Sequence, residues 1–324
     1  MSLRLAPLED SYLEPAAELF CDHYRALRER IPELPARYEQ REEILPLLRW
    51  ILGRGPAVAA LRRGHLVGFM ASMILPDFRG HRTAYSPEWA NAAPAGGSRA
   101  LYQALYGRIA GEWVRERCYC HLIGQLAGDG DALEGWQWLG FGLIAMDAVR
   151  SLEPPPRGPA PVAIRRAGPG DVEAAVSLAE ALRAYLAGPP IFLVQPGPED
   201  RAWHERWLAD PRNALWLAGD GDEVIGCLAQ GPASSDACTI IEDEDTTSIT
   251  RAYTLPRWRG RGIGTALLAR ALEWAREQGY TRAAVDFEPM NPLAARFWTR
   301  HFRPVALALV RHVDERATPE ERVD

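Results

Sequence analysis

Arg259, Gly260, Arg261, Gly262 and Gly264 fall within a single six-residue span of the chain. Glycine admits a left-handed backbone and lets a ligand come close to the main chain. If a helix begins directly after Gly262, its first amides have no partner inside it, and its dipole favours negative charge there. Arginine adds charge-assisted, two-pronged hydrogen bonds to phosphate. Together they form a cradle for a pyrophosphate, although a Gly/Arg-rich turn also suits a plain surface loop. Two carboxylates follow at Asp286 and Glu288. Strand alternation puts both on the face opposite Phe287, as candidate proton acceptors or as solvated strand-end charges.

Three elements have to position these groups. Ser248–Thr254 is rich in β-branched and aromatic residues and reads as a strand, which Pro256 ends because proline has no amide hydrogen for a ladder. Ile263, Ala266, Leu267, Ala271, Leu272 and Trp274 recur with helical period, so a helix starts at the glycines. Arg282–Phe287 reads as a second strand. Two other phosphate loops are excluded. A dinucleotide fingerprint starting at Gly260 needs glycine where Thr265 stands, and a Walker loop needs a lysine, of which the chain has none.

Arg259-x-x-Gly262-x-Gly264 resembles the acyl-CoA pyrophosphate loop, Q/R-x-x-G-x-G/A, of the GCN5-related N-acetyltransferases. Asn291-x-x-Ala294-x-x-Phe297-Trp298, after the second strand, is similar to that family's next motif. The resemblance is clear from about residue 161 to 313 and weaker before. It implies acetyl-CoA as cosubstrate, held by Arg259, Gly260, Arg261, Gly262, Ile263, Gly264 and Thr265. Backbone groups of Ala252, Tyr253 and Thr254 would pair with pantetheine, and Asn291, Ala294, Phe297 and Trp298 would flank the CoA arm. It also implies direct acetyl transfer to the amine of a small molecule in a ternary complex, without a metal.

A primary amine has a pKa of about 10.4, so only roughly one molecule in a few thousand is neutral at pH 7 and a base is required. Asp286 is the first candidate and Glu288 the second. Asp245, closing the run Glu242-Asp243-Glu244-Asp245, is a third if that run lines the cleft and is not simply solvated. The family often has tyrosine as acid where this chain has Trp298, and indole donates a hydrogen bond but no proton at useful cost. Water, Tyr253 or the ammonium product would then protonate the thiolate. Two alternatives stay open: a non-catalytic acyl-CoA sensor, and an acetyltransferase acting on protein N-termini or lysines. Tyr185, Phe192, Trp203, His204 and Trp207 surround Gly188-Pro189-Pro190, either as core or as an acceptor pocket.

The chain has 324 residues, a length natural for two domains. Ser151–Val162 carries five prolines and reads as an extended linker between domains at 1–150 and 163–324. The halves repeat each other, at offsets from 158 (Ala57 to Leu215) to 168 (Ala84 to Ala252). Ile164 to Asp171 parallels Leu3 to Asp10, each a strand leading to an aspartate helix cap. Glu112-Trp113 parallels Glu273-Trp274, and Asp129-x-x-Ala132-x-x-x-Trp136 parallels Asn291-x-x-Ala294-x-x-x-Trp298. The resemblance makes each half an α/β (α+β) domain, a mixed, mostly antiparallel sheet flanked by helices. The first half has Gly96-Gly97-Ser98 in place of the arginine–glycine loop, so it keeps the fold and binds CoA weakly or not at all.

The net charge of −6 argues against general nucleic-acid binding. No run of 18 apolar residues suggests a membrane span, and the N-terminus lacks a signal-peptide core. Five scattered cysteines suit a reducing cytoplasm. Cys118-x-Cys120 is too tight for a metal knuckle. An internal repeat makes a monomer plausible, with a homodimer as the other option.

Overall fold

Local chemistry sets the element boundaries. Arg63 and Gly64, both with positive φ, turn one hairpin, and Gly221 does the same for another. The computed structural model describes residues 3–94, 96–155, 162–195, 197–233 and 238–318, so half of the proline-rich linker, 156–161, lies outside the described residues. In order, the elements are β1 (Arg4–Pro7), α1 (Leu13–Arg30), α2 (Arg41–Ile51), β2 (Ala57–Arg62), β3 (His65–Ala71), β4 (Met73–Phe78), β5 (His81–Ser86), β6 (Asn91–Ala92), α3 (Ser98–Arg115), β7 (Cys120–Leu126), α4 (Gly130–Trp138) and β8 (Gly142–Ser151). Then come β9 (Ala163–Arg166), α5 (Val172–Ala187), α6 (Arg201–Ala209), β10 (Ala214–Asp220), β11 (Glu223–Pro232), β12 (Thr246–Thr254), α7 (Ile263–Glu277), β13 (Arg282–Phe287), α8 (Pro292–His301) and β14 (Arg303–His312).

The chain divides into two units. One is Met1–Met146 with Cys238–Ile240 and Pro304–Asp324, the other Asp147–Ala237 with Ile241–Arg303. The sequence alone places 163–324 in a single domain. Strand pairing instead draws the C-terminal segment into the first unit, where β14 runs antiparallel to β7 from Ala306 opposite Leu126 to His312 opposite Cys120. Hydrogen bonds draw in the short segment as well. Trp89 donates to Thr239, and the Ile240 amide donates to Glu88.

In the first unit, α3 and α4 pack over Trp113, Trp136, Tyr102 and Leu105. The indoles find partners, with Trp113 donating to Ser72 and Trp136 to Gln125. Neither Asp10 nor Asp171 caps a helix by its side chain. A short 3-10 turn precedes each helix. The Asp171 carboxylate instead accepts from the Gly168 amide and from Arg165.

His121 on β7 is fully buried. Its Nε2 faces the Cys118 carbonyl at 3.0 Å, and a carbonyl only accepts, so Nε2 carries the proton. Nδ1 then accepts from the Tyr106 hydroxyl at 2.9 Å, which itself accepts from Arg311.

The second unit has the strand order β13-β12-β11-β10-β9, with Asp147–Ser151 of β8 beside β13. Pairing is antiparallel from β9 to β12 and parallel between β12 and β13. Tyr253, Leu215, Leu217 and Cys227 pack against Ala175 and Leu178 of α5. Among the described residues no helix is long and apolar enough to cross a membrane.

Burial drives the His121 pKa down to about 4. Unfolding returns it to about 6.5, so the unfolded chain binds the extra proton first. Stability contributed by the neutral ring is complete above pH 6.5 and falls as pH drops towards 4, by roughly 3 kcal/mol in all. Urea unfolding of His121→Gln across this window should show a shallower pH dependence than wild type.

Candidate active site

The site is built where β12 and β13 part. Their parallel pairing runs from Thr246 opposite Arg282 to Ile249 opposite Val285 and stops there. Just beyond, Arg251 pairs with Ala229 while Ile249 pairs with Gln230, so Thr250 is an extra residue, a bulge that bends β12. The strand ends separate, and the β12 edge from Ala252 to Thr254 is left facing a cavity of about 550 Å³.

Helix α7 begins at the mouth of that cavity. Gly262 caps it in the left-handed region, with φ of 81°, and the first helical bond is Ala266 to the Gly262 carbonyl. The amides of Ile263, Gly264 and Thr265 therefore have no partner within the helix, and all three residues line the cavity. Gly264 serves a different end. A Cβ there would sit 3.3 Å from Cε2 of Phe297, so its lack of a side chain lets α8 pack against the start of α7.

Asn291 caps α8 by accepting from the Ala294 amide, and it also accepts from the Tyr185 hydroxyl at 2.9 Å. Tyr185 thereby ties α5 to α8 across the cavity. Arg259 lies over the Tyr185 ring at 4.4 Å and the Tyr253 ring at 5.4 Å, and its Nε donates to the Thr254 carbonyl at 3.0 Å. That clamp joins the loop to the end of β12 and leaves the terminal nitrogens for a ligand.

Of the residues singled out in the sequence, Ala252, Tyr253, Thr254, Arg259, Gly260, Gly262, Ile263, Gly264, Thr265, Asn291, Ala294, Phe297 and Trp298 line this one cavity. Arg261 does not; it lies over the Trp258 ring at 4.8 Å. Asp286 and Glu288 sit at the parted end of β13, outside the lining, with Asp286 exposed. Asp245 is not brought to the cavity at all. It precedes β12, so it lies about 20 Å along the strand from Ala252. Its carbonyl accepts from Thr281 and Arg282. The acidic run is thus at the closed end of the strand pair, where Asp243 meets Arg282 at 3.1 Å.

Sequence reasoning missed Arg296, Arg300 and His301, which line the cavity from α8, and it left Tyr185 as either a core aromatic or part of an acceptor pocket. The signal was present: Arg296 and Arg300 are four apart and therefore share a helix face. Burial, Arg150 and Arg300 together hold the His301 pKa below its ordinary value. Cys227 is also among the lining residues, and burial pushes its thiol up to about 11.

In the first unit the corresponding helix start is already filled. Gly97 precedes α3 with φ of 132°. The Asp131 carboxylate accepts from the amides of Gly97 and Arg99, each at 3.2 Å, and Asp129 accepts from Ser98 at 3.0 Å. The Arg99 amide, then that of Gly97, holds Asp131 below the usual carboxylate pKa.

Residues 179–302 match the acetyltransferase (GNAT) family model. An aminoglycoside N(6')-acetyltransferase type 1 from Serratia marcescens is 29% identical over 111 residues, covering 34% of this chain and 76% of that protein. An uncharacterized N-acetyltransferase from Methanocaldococcus jannaschii is 32% identical over 83 residues, 24% of this chain. The match spans only 33% of the archaeal protein's length. The crystal structure of a GCN5-related N-acetyltransferase from Sphaerobacter thermophilus superposes with a TM-score of 0.58 at 18% identity, covering 96% of this chain and 95% of that one. Residues 179–302 thus carry the pattern of the GNAT acetyltransferase family, and the fold of the chain is that of a GCN5-related N-acetyltransferase.

Asn291→Ala should cost about 1–2 kcal/mol of stability through loss of the cap, and Asn291→Asp should retain most of it. Tyr185→Phe should cost about 1 kcal/mol. Urea midpoints at constant m-value check all three.

Proposed function

We propose that this protein is an N-acetyltransferase that takes acetyl-CoA as cosubstrate and acetylates the amine of a small molecule in a ternary complex. The observation that carries this is the joining, in one cavity, of a helix start with no side-chain cap on its first amides, a parted strand edge and arginine side chains. The donor set fits the group. The amides at the start of α7 suit a pyrophosphate, Arg296 and Arg300 suit further phosphate charge, and the Ala252–Thr254 edge offers backbone donors and acceptors to an amide-bearing arm. Acetyl-CoA, when bound, supplies an activated thioester.

Direct transfer is favoured because Cys227, the cysteine among the lining residues, has a core-buried thiol that stays protonated and is a poor nucleophile at neutral pH. For proton acceptance the carboxylates at the parted end of β13 are the candidates, Asp286 before Glu288. Tyr253 and Tyr185 bring phenols to the cavity, and either can meet the proton need of the leaving thiolate that Trp298 cannot. A small-molecule acceptor accords with the aminoglycoside named for the Serratia relative. Trp298 also favours a second reading, an acyl-CoA sensor without turnover.

Calorimetric titration of acetyl-CoA should give one site per chain, since Asp131 occupies the other helix start. Thr265→Glu places a carboxylate at the third position of α7, a favourable place for the helix itself. It should leave the melting temperature unchanged and weaken acetyl-CoA about a hundredfold or more by like-charge repulsion. Binding that is absent, or insensitive to Thr265→Glu, refutes the assignment.

Asp286→Asn should lower kcat about a hundredfold with acetyl-CoA binding intact. Intact binding without turnover of any amine in a broad panel would establish the sensor.

A further inference from the structure

The acceptor is open in the function proposed above, and a second cavity in the same unit bears on it. It has about 250 Å³ and is walled by Arg183 of α5, Arg251 of β12, and Glu199, Asp200 and Trp203 at the start of α6. Glu199 is the centre of its charge. One carboxylate oxygen is 2.8 Å from Nε2 of the buried His204. The same oxygen lies 3.7 Å from Arg251, and the other lies 3.9 Å from Arg183. The last two distances are too long for hydrogen bonds, so Glu199 attracts both guanidinium groups without saturating them. Arg183 also donates to the carbonyls of Gln195 and Gly197, which anchors the segment before α6. The Arg251 guanidinium lies 5.8 Å from the Trp203 ring and is three-quarters buried.

Position matters as much as charge. Arg251 directly precedes Ala252–Thr254, the edge that lines the larger cavity. It shares a strand face with Tyr253, about 7 Å further along. Arg183 is likewise next to Leu182, which lines the larger cavity. The backbone of Arg251 therefore lies within one strand repeat of the parted edge.

We infer that this second cavity is the acceptor pocket and that it takes an α-amino acid, whose carboxylate is held by Arg251 and Arg183 while its amino end lies beside Glu199. The inference rests on the acetyl-transfer reading for the word acceptor, but the binding chemistry stands on this cavity alone. A polycationic amine such as an aminoglycoside would set its charges against two arginines, so the small-molecule class suggested by the Serratia relative is narrowed here, and a simple anion would meet Glu199. A zwitterion satisfies both signs at the spacing of one small molecule. Asp200 is not counted among the recognition groups, because its carboxylate caps α6 at the Ala202 amide.

The test titrates L-phenylalanine, L-leucine and L-glutamine, each beside its own amide, into the protein with and without CoA. At least one amino acid should bind about tenfold or more tightly than its amide, the weight of a charge-assisted pair. Arg251→Gln should remove that preference, Arg251→Lys should restore part of it, and affinity for the amide should stay unchanged in both. Equal binding of acid and amide, no amino-acid binding, or a loss in Arg251→Gln that strikes both alike would overturn the inference. Acetyl-CoA titrated into the same samples separates the two readings. Its failure to bind sinks the acetyltransferase, whereas a missing acid–amide preference with acetyl-CoA bound sinks only the amino-acid pocket.

Discussion

The parting of β12 from β13 after Ile249 and Val285 is the constraint on which the second unit's chemistry depends. Parallel strands in register would leave no main-chain groups for a ligand, because each edge would satisfy the other. The extra residue at Thr250 prevents that by bending β12 away. One consequence is an edge of backbone donors and acceptors between two strand ends. Another is a gap that neighbouring elements must wall, which α8 does with Phe297 and Trp298 and α5 with Tyr185. Arg259 then ties the glycine loop to the end of β12 by holding the Thr254 carbonyl while stacked on two tyrosines.

The two units put the same local rule to opposite uses. A helix that starts after a positive-φ glycine presents amides with no partner in the helix. At α7 the chain leaves them facing a cavity, whereas at α3 it supplies Asp131 from the start of α4. The caps of the following helices show how little separates the cases. Asp129 and Asn291 stand at equivalent positions, and each accepts from the amide three residues on, Ala132 and Ala294. In the first unit a second carboxylate, Asp131, follows two residues later and reaches back to α3; at the equivalent position in the second unit Leu293 cannot. The start of α3 is thus capped from within the unit by the Asp131 carboxylate, with Asp129 beside it on Ser98.

Much of this was legible because it is local. Glycine spacing, the strand before it and the helix period place the start of α7 at Ile263, where the structure has it. The Asn291 motif likewise opens α8. What was not legible depends on distances the chain does not encode locally. The acidic run ending at Asp245 lies near the glycine loop in sequence, yet β12 carries it to the far end of the strand. His204 read as one residue of an aromatic segment and Glu199 carried no local signal, because the Glu199 partners Arg183 and Arg251 come from an earlier helix and a later strand. The place of β14 was hidden for the same reason, since a C-terminal strand gives no local sign of which β-strand it will join.

The absence of lysine gains a physical sense in this setting. Arg166, Arg261 and Arg270 lie over Trp274, Trp258 and Trp216 at 4.8–5.4 Å from the ring centres. The indole nitrogens of those three tryptophans are buried without a hydrogen-bond partner. A planar guanidinium stacks on such a ring and keeps its in-plane donors for other acceptors, which an ammonium cannot do. Arg259 shows the combination most fully, stacking on two rings while one nitrogen holds a carbonyl and the others remain for a ligand. Lysine at that position would keep the charge and lose the clamp, and the parted strand would lose the tie that fixes it to the loop.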